Sequence, residues 1–354
     1  MNNYRTYDYL FVKKFVYISI ALILATGIAA FIGAKAYRIF FGQNVAKDTD
    51  AYQLFIPTGS NYDSVLVILK RDTILKDING FDWLARKMKY DKSVRPGRYL
   101  LTKTMTNKDI IRKLRGGMQD PVVIFFNKYR TKAQVASFAA QKLELDSAEL
   151  LEILDDSVYL APFGFTPRNV IEVFLSDKYE FYWNTNAQKL FERMRKEYDN
   201  FWNSSRVGKA QNKNLTPDEV MTLASIVEEE TNDRNEKPRI AGVYINRLKK
   251  GIKLQADPTV KFALQDFGLR RITGRHIHFE SPYNTYVQAG LPPGPICIPS
   301  KESIEAVLNA ETHEYIFFCA KGDGSGTHLF AKTYQDHINN ARKYRKLLDE
   351  NGIF

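Results

Sequence analysis

Three consecutive glutamates, Glu228 to Glu230, close a segment whose residue pattern predicts a helix. Thr216 with Glu219 three residues later forms a capping box, and Pro217 occupies the first helical position, where a missing N–H group costs nothing. A carboxyl group on a helix beside apolar residues suits a catalytic acid, because burial raises its pKa and keeps a proton available near neutral pH. The segment therefore predicts a catalytic carboxylate.

The three glutamates are expected to differ in their surroundings. The apolar residues recur at the spacing of one helical face: Val220, Leu223, Ala224 and Val227. Glu228 lies on a flank of that face, above small or apolar neighbours, so we expect a raised pKa and the role of catalytic acid. Glu230 lies on the other flank. Glu229 points nearly opposite the apolar face, which predicts solvated surface.

Taken alone, an acidic run at a helix end is more often an exposed rim than an active site. The chain carries a longer series of motifs in a fixed order: Ala224 to Thr231, Asn246 to Leu248, Leu254 to Val260, Tyr283 to Tyr286, and Gly290 to Ile296. This series resembles the YceG-like family of endolytic murein transglycosylases. The resemblance runs from about Ile56 to the last predicted helix.

The resemblance implies a peptidoglycan lytic transglycosylase. Such an enzyme cleaves the β-1,4 bond between N-acetylmuramic acid and N-acetylglucosamine, leaves 1,6-anhydro ends, and so terminates the elongation of nascent strands. Glu228 would protonate the leaving oxygen and then accept the proton of the muramoyl C6 hydroxyl; one carboxyl can serve both steps because that hydroxyl is tethered to the reacting ring. Glycan strands are the implied substrate and peptidoglycan synthases the implied partners, with no cofactor.

Four polar residues lie in loops that match family motifs. Gln255 and Asp257 fit the family's Gln-x-Asp-Pro-Thr motif, whereas Tyr283 and Asn284 fit its Tyr-Asn-Thr-Tyr motif. Asp-Pro and Tyr-Asn are also ordinary turn chemistry, but the motif matches favour residues that line a substrate cleft. Glu230 completes this group of expected substrate-binding residues.

Glu172 is a sixth candidate, in a segment that departs from the family pattern. Val173, Ser176 and Lys178 differ from a motif that includes Gly and Pro, so the loop geometry that those residues enforce is not predicted. Glu172 is therefore expected to be either a substrate-side carboxylate or a turn residue. Because this loop is altered, a second function is an alternative: a catalytically inactive, membrane-anchored scaffold that binds peptidoglycan. The other alternative, a hydrolytic muramidase, needs a second acid, for which Asp257 or Glu172 is available.

An N-terminal membrane anchor is predicted. Phe15 to Ala34 contains no charged residue and, at about 1.5 Å per residue, is long enough to cross a hydrocarbon core of about 30 Å. The run exceeds the roughly 7–15 apolar residues of a signal peptide, which favours an uncleaved anchor over a leader. Lys13 and Lys14 precede it, which predicts a cytoplasmic N-terminus and a single-pass protein of the cell inner (plasma) membrane with its catalytic domain on the periplasmic side.

The predicted fold class is α+β. A cytoplasmic tail (1–14), a transmembrane helix (15–36) and a connector (37–50) precede a small domain (51–118) and a larger YceG-like catalytic domain (119–354). The small domain alternates short strands and helices and resembles the LysM-like domain of the family, which implies either contact with glycan or a spacer. The net charge of +11 suits work beside anionic lipid or polymer, but Lys and Arg are spread along the chain, so nucleic acid is not an expected partner.

Two further patterns fail as functional sites. His276 and His278 are predicted to share one face of a strand, but no third ligand with suitable spacing follows, so no metal is expected. The Gly322 to Gly326 segment lacks the Gly-Lys-Ser/Thr ending of a phosphate loop and lies between two strand-like runs. It predicts a hairpin turn and no nucleotide.

His328, His337 and the cysteines are expected to be structural. His328 and His337 resemble the family's last motif, for which a hydrogen bond within the core is preferred. Cys297 and Cys319 are too few for a disulfide scaffold or a cysteine metal cluster. Two buried free thiols are expected, although an oxidising periplasm would permit the two to pair.

Overall fold

The computed structural model describes residues 3–46, 50–269 and 271–350. The α+β chain forms two compact units. The first runs to Pro121 and includes Tyr182–Asn184, and the second comprises Val122–Phe181 and the chain from Thr185 onward. Residues 1–2 of the predicted cytoplasmic tail and 47–49 of the predicted connector lie outside the described residues.

The first unit begins with one long helix, α1 (Asn3–Phe41). Its segment Lys13–Phe41 is long and apolar enough to cross a membrane. The predicted run from Phe15 to Ala34 lies within this segment, and its apolar side chains are exposed, which is compatible with a lipid-facing anchor. The helix extends beyond both ends of that run, into the predicted tail and connector.

The rest of the first unit is a two-stranded sheet with three helices. In chain order, its elements are β1 (Ala51–Ile56), α2 (Tyr62–Arg71), α3 (Ile78–Lys87), a 3-10 turn (Tyr90–Lys92), β2 (Gly97–Thr102) and α4 (Asn107–Gly116). The strands are antiparallel, with Leu54 opposite Tyr99. Thr106 caps α4 in a capping box with Asp109, and Gly117 ends the helix at a φ of 65°. The predicted alternation of short strands and helices in this unit is confirmed.

The second unit is mainly helical. Its elements are β3 (Val122–Phe125), α5 (Lys132–Lys142), α6 (Ser147–Asp155), α7 (Ser157–Leu160), 3-10 turns at Ala161–Phe163 and Val170–Val173, β4 (Lys178–Phe181), α8 (Ala187–Phe201), α9 (Ser204–Asn212), α10 (Pro217–Glu230), α11 (Lys237–Lys249), α12 (Asp257–Leu264), α13 (Gly274–Ile277), α14 (Lys301–Leu308), β5 (Phe317–Ala320), β6 (His328–Ala331) and α15 (Tyr334–Glu350). Two antiparallel pairs, β3 with β4 and β5 with β6, form its sheets.

Strand β3 is only partly buried, and one predicted strand is absent from the described residues. In β3, Ile124 is buried, whereas Val123 and Phe125 are exposed. Strand β3 therefore covers the core with one face only. His276 lies in the short helix α13 and its Nδ1 accepts a hydrogen bond from the Thr273 backbone at 3.1 Å, so the predicted strand that placed it beside His278 is wrong.

Helix α10 lies at the centre of the second unit. The predicted capping box of Thr216 with Glu219 is confirmed. The predicted single apolar face is wrong, because every residue from Val220 to Val227 is buried. Ser225 is accommodated there because its hydroxyl donates to Thr222 O at 2.7 Å and accepts the Ile296 N–H at 2.9 Å. A helix enclosed on all sides directs its terminal glutamates toward other protein groups.

The β5–β6 hairpin packs against helices α11 and α15. Its turn contains Gly322, Gly324 and Gly326, all at positive φ, which confirms the predicted hairpin turn. Cys297 is buried and Cys319 is half-buried, and both are free thiols. The expectation of two buried thiols therefore holds for Cys297 alone, because every residue of β5, including Cys319, is half-buried.

Candidate active site

A cavity of about 490 Å³ opens where the end of α10, helix α11, the start of α12 and the β5–β6 hairpin meet. Its polar wall includes Glu230, Tyr244, Arg247, Gln255, Asp257 and Tyr286. These residues come from four separate segments of the sequence, and the fold of the second unit brings them together. A concave site with convergent polar groups and a carboxyl of perturbed pKa is the usual form of a catalytic centre.

Glu230 is the perturbed carboxyl of this cavity. Tyr244 donates a hydrogen bond from its hydroxyl to Oε1 of Glu230 at 2.7 Å. Burial raises the pKa of Glu230 to about 7; the hydrogen bond from Tyr244 opposes this shift, and the negative charges of Asp257 and Glu229 add to it. Glu230 is therefore divided between its protonated and ionised forms near neutral pH.

Glu228 has the opposite environment. Its Oε2 accepts hydrogen bonds from the hydroxyls of Ser300 and Ser303 and lies 3.2 Å from Nζ of Lys237. Burial alone would raise the pKa of Glu228, but these donors outweigh burial and lower it. The expectation of a raised pKa at Glu228 is wrong, because its decisive neighbours come from α11 and α14 and not from α10 itself.

Glu229 is paired, and the expectation of solvated surface is wrong. Nη2 of Arg130 lies 2.9 Å from both carboxylate oxygens, and Nζ of Lys128 lies 3.6 Å away. The Glu229 side chain is only 15% exposed. Two of the three glutamates thus face cations, whereas Glu230 faces a neutral phenol. This difference in partner explains why the pKa of Glu230 is raised whereas the pKa of Glu228 is lowered.

Gln255 and Asp257 lie on the cavity wall together with Glu230. Tyr286 donates its hydroxyl hydrogen to Oδ1 of Asp257 at 2.6 Å. Gln255 has a φ of 53°, and its Oε1 accepts a hydrogen bond from Nη1 of Arg247 at 3.2 Å. These contacts fix both side chains in place before any ligand binds.

Arg247 and Tyr244 were given no role from the sequence. The Arg247 guanidinium donates to the carbonyl oxygens of Leu254 and Ile316, at 2.9 and 2.6 Å, and so ties the loop before α12 to the residue before β5. Its burial lowers its pKa. Tyr244 lies three residues earlier, on the same side of α11. The family motif Asn246 to Leu248 lies in this helix, but sequence spacing does not identify the residues that Arg247 and Tyr244 contact.

Tyr283 and Asn284 lie outside the cavity wall. Asn284 is fully buried; its amide donates to the carbonyl oxygens of Ile277 and Phe279, at 3.1 and 2.7 Å, and its Oδ1 accepts the Tyr286 N–H. The expected substrate contact of Asn284 is corrected: this residue shapes the loop that presents Tyr286. Tyr283 packs its ring against Phe262, with centroids 4.7 Å apart, and likewise lines no part of the cavity.

Glu172 is a buried acid and not a substrate-side carboxylate. Glu172 lies in the 3-10 turn Val170–Val173 and has no exposed surface. Of the two expected roles, the structure therefore favours the turn residue. Within the described part of the chain, neither carboxylate oxygen has a hydrogen-bond partner. Burial raises the pKa of Glu172 well above its usual range, and the charge of Asp218 adds to this shift.

His328 and His337 line the cavity, and His328 also makes the expected hydrogen bond within the domain. The ring of His337 stacks on Phe317 with centroids 5.2 Å apart, and burial lowers the pKa of His337. Nδ1 of His328 lies 2.9 Å from Oε2 of Glu236. The match of these two histidines to the last family motif was the only feature of the sequence that pointed to a role for them.

Comparison with known proteins identifies relatives of this architecture. The chain is 29% identical to the endolytic murein transglycosylase of Bacillus subtilis (strain 168) over 329 residues, which cover 88% of this chain and 90% of that protein. It is 25% identical to the endolytic murein transglycosylase of Streptococcus pneumoniae over 319 residues, but it spans only 57% of that protein's length. A crystal structure of a YceG-like protein from Listeria monocytogenes matches with a TM-score of 0.54 and 26% identity, over 82% of this chain and 99% of that one.

The model of the YceG-like family matches residues 54–343, a range that begins within β1 and includes α10 and every residue of the cavity wall. This range covers most of both units. The chain belongs to the YceG-like family.

Proposed function

We propose that this chain is a lytic transglycosylase that cleaves peptidoglycan glycan strands internally and leaves 1,6-anhydro ends. Two curated relatives carry the name endolytic murein transglycosylase, and the family match covers the whole cavity. One observation carries the assignment of the site: a carboxyl with a pKa of about 7, Glu230, lies on the wall of a 490 Å³ cavity. Glu230 therefore replaces Glu228 as the proposed catalytic acid.

The chemistry needs one carboxyl in two protonation states. Protonated Glu230 donates its proton to the oxygen that links C1 of N-acetylmuramic acid to C4 of N-acetylglucosamine, and the C1–O bond breaks. The C6 hydroxyl oxygen of the same muramoyl ring then bonds to C1, and its proton passes to the Glu230 carboxylate. Glu230 ends protonated, and no water is consumed. A pKa near 7 suits a group that must both give and accept a proton.

The other wall residues would support this reaction electrostatically. Asp257, held by the Tyr286 hydroxyl, supplies a negative charge in a cavity where positive charge develops at C1. Gln255, held by Arg247, presents an amide to the sugar. Both residues are proposed to bind substrate, whereas Tyr244 positions the carboxyl of Glu230.

A hydrolytic muramidase is the second candidate, because Asp257 supplies another carboxylate in the same cavity. A scaffold without activity has less support. Ser176, in the altered loop from Val173 to Lys178, forms a bridge with Ser300. The described cavity wall is built from other segments, which supports an active enzyme over an inactive scaffold.

The remaining features extend the proposal to location and partners. Helix α1 supports a single-pass anchor in the cell inner (plasma) membrane, with the catalytic unit on the periplasmic side. The order β1, α2, α3, β2 supports a small LysM-like domain that contacts glycan or acts as a spacer. Membrane-proximal glycan strands would be the substrate, and the synthases that extend them the partners.

The identity of the product ends tests this function. The full chain in detergent would be incubated with purified, uncrosslinked glycan strands, and the products analysed by mass spectrometry. Ends that carry 1,6-anhydro-N-acetylmuramic acid are expected. Reducing N-acetylmuramic acid ends would instead show hydrolysis, and binding without any new ends would show a scaffold.

A further inference from the structure

His328 and Glu236 form an ionisable pair beside the cavity that holds Glu230. His328, the first residue of β6, lies on the cavity wall. Its Nδ1 is 2.9 Å from Oε2 of Glu236, and its backbone N–H donates to Oε1 of the same carboxylate at 2.9 Å. The two side chains are only 12% and 10% exposed. One carboxylate therefore fixes both the ring and the backbone of His328.

These contacts determine which ring nitrogen is available. An ionised carboxylate only accepts hydrogen bonds, so a neutral His328 ring beside Glu236 carries its proton on Nδ1 and its lone pair on Nε2. The ring of Phe318 stands at 89° to the imidazole, with centroids 5.3 Å apart, and limits its rotation. Among the described residues, Glu236 is the hydrogen-bond partner of the His328 ring, which leaves Nε2 for a group that enters the cavity.

Glu236 has no part in the chemistry assigned to Glu230. Burying a carboxylate is costly unless it is paired, and here the pairing is with an imidazole on the wall of the site. A carboxylate partner fixes the tautomer and the orientation of an imidazole, so its second nitrogen points in a fixed direction. An unprotonated nitrogen in this setting accepts hydrogen bonds, and a sugar offers hydroxyl and acetamido N–H donors.

We propose that His328, held in its Nδ1–H form by Glu236, binds the substrate by accepting a hydrogen bond at Nε2 from an N–H or O–H group of the sugar in the cavity. His328 is then a substrate-binding residue and Glu236 a positioning residue. The inference rests on the proposed function only for the identity of the sugar.

Two substitutions separate a substrate contact from a structural role. In His328→Asn, the amide nitrogen takes the place of Nδ1 and can still donate to Glu236, but nothing replaces Nε2. In His328→Gln, the longer side chain places its amide near the position of Nε2. We expect His328→Asn to keep the melting temperature of the wild type and to lower kcat/KM on glycan strands about 10-fold or more. His328→Gln is expected to recover part of that loss.

Imidazole 15N spectra of the full chain in detergent provide a readout that needs no turnover. The His328 signals, identified by their absence in His328→Asn, should show a protonated Nδ1 and an unprotonated Nε2. In Glu236→Gln, whose amide can either donate or accept, the two forms should mix. Glycan strands added to the Glu230→Gln variant should shift the Nε2 signal. A protonated Nε2 in the wild type, or no shift with bound glycan, would overturn the inference.

The exposed His278, outside the cavity wall, provides a matched control, and His278→Asn should behave as the wild type. Unchanged kcat/KM in His328→Asn, while the wild type cleaves glycan, would overturn the role of His328 and leave the proposed function standing. A wild-type chain that leaves glycan uncut would contradict the proposed function, whereas the 15N shift on glycan binding would still decide the role of His328.

Discussion

The hydroxyl of Tyr244 donates a 2.7 Å hydrogen bond to Oε1 of Glu230. This partner is neutral, so it holds the carboxyl in place without supplying the positive charge that would keep it ionised. Lys237 supplies such a charge to Glu228, two residues earlier. The contrast within one turn of α10 is the reason that the proton is expected on Glu230.

Glu230→Gln should abolish most of the activity while the fold remains. The amide fills the same space but cannot deliver a proton, so the rate of formation of anhydro ends should fall about 10²–10⁴-fold. Mass spectrometry of digested glycan strands measures this rate. Glu229→Gln, at the neighbouring position, is the control and should keep activity per folded molecule. High activity in Glu230→Gln would remove this residue from the mechanism.

Glu228→Gln should affect stability more than catalysis. The wild-type carboxylate neutralises Lys237, whose side chain is 6% exposed, and accepts hydrogen bonds from Ser300 and Ser303. Breaking a buried ion pair by removing one partner costs about 3–5 kcal/mol, and an amide that keeps some hydrogen bonds should cost somewhat less. Denaturant unfolding measures this loss. A stable but inactive Glu228→Gln variant would return the catalytic role to Glu228.

The activity of the wild type should fall as the pH rises through about 7. The first step needs protonated Glu230, and the pKa of this group in the folded protein is about 7. The kcat/KM for glycan cleavage, measured from about pH 3 to pH 9, should therefore decline on the alkaline side with that midpoint. A midpoint near 4.5, the usual value for a glutamate, would show that the cavity does not perturb this carboxyl.

The same pKa shift predicts a stability effect that can be measured without substrate. The pKa of Glu230 rises from 4.5 in the unfolded chain to about 7, so its contribution to stability is fully present below pH 4.5 and is lost as the pH rises through about 7. Glutamine has no such titration. At pH 8, Glu230→Gln should be more stable than the wild type by about 1–3 kcal/mol, and the difference should vanish near pH 4. Equal stability at pH 8 would contradict the shift.

The orientation of the chain can be tested with a reporter that is active only in the cytoplasm. Helix α1 is the membrane-span candidate among the described residues, and Lys13 and Lys14 precede its apolar run. A reporter fused to the C-terminus should be silent, whereas the same reporter at the N-terminus should be active. A strong signal from the C-terminal fusion would place the catalytic unit away from the cell wall.

Local sequence patterns predicted many elements of the fold. The start of α10 was visible because a capping box and a proline at the first position are properties of adjacent residues. The β5–β6 turn was visible for the same reason, since glycines permit positive φ without any distant partner. Patterns of this kind describe one element and its ends.

The candidate site was predicted only in part, because the state of each glutamate depends on residues far away in sequence. Glu229 would be exposed on an isolated helix, but Arg130 approaches it from a segment 99 residues earlier. Ser300 and Ser303, more than 70 residues later, reverse the expected pKa shift of Glu228. Periodicity assigns a side chain to a face, and it does not identify the donors that the tertiary fold places opposite.

The three glutamates also occupy the less favourable end of their helix. The carbonyl end of a helix carries a partial negative charge, so acids there are destabilising by about 0.3–1 kcal/mol each. The last turn of α10 contains no basic residue of its own to offset this repulsion. For Glu228 and Glu229 the offset comes from other segments, but the neutral Tyr244 leaves Glu230 exposed to the dipole. Selection for thermal stability alone would therefore tend to replace Glu230. Its retention in a library selected for both stability and glycan cleavage would indicate that the reaction requires this residue.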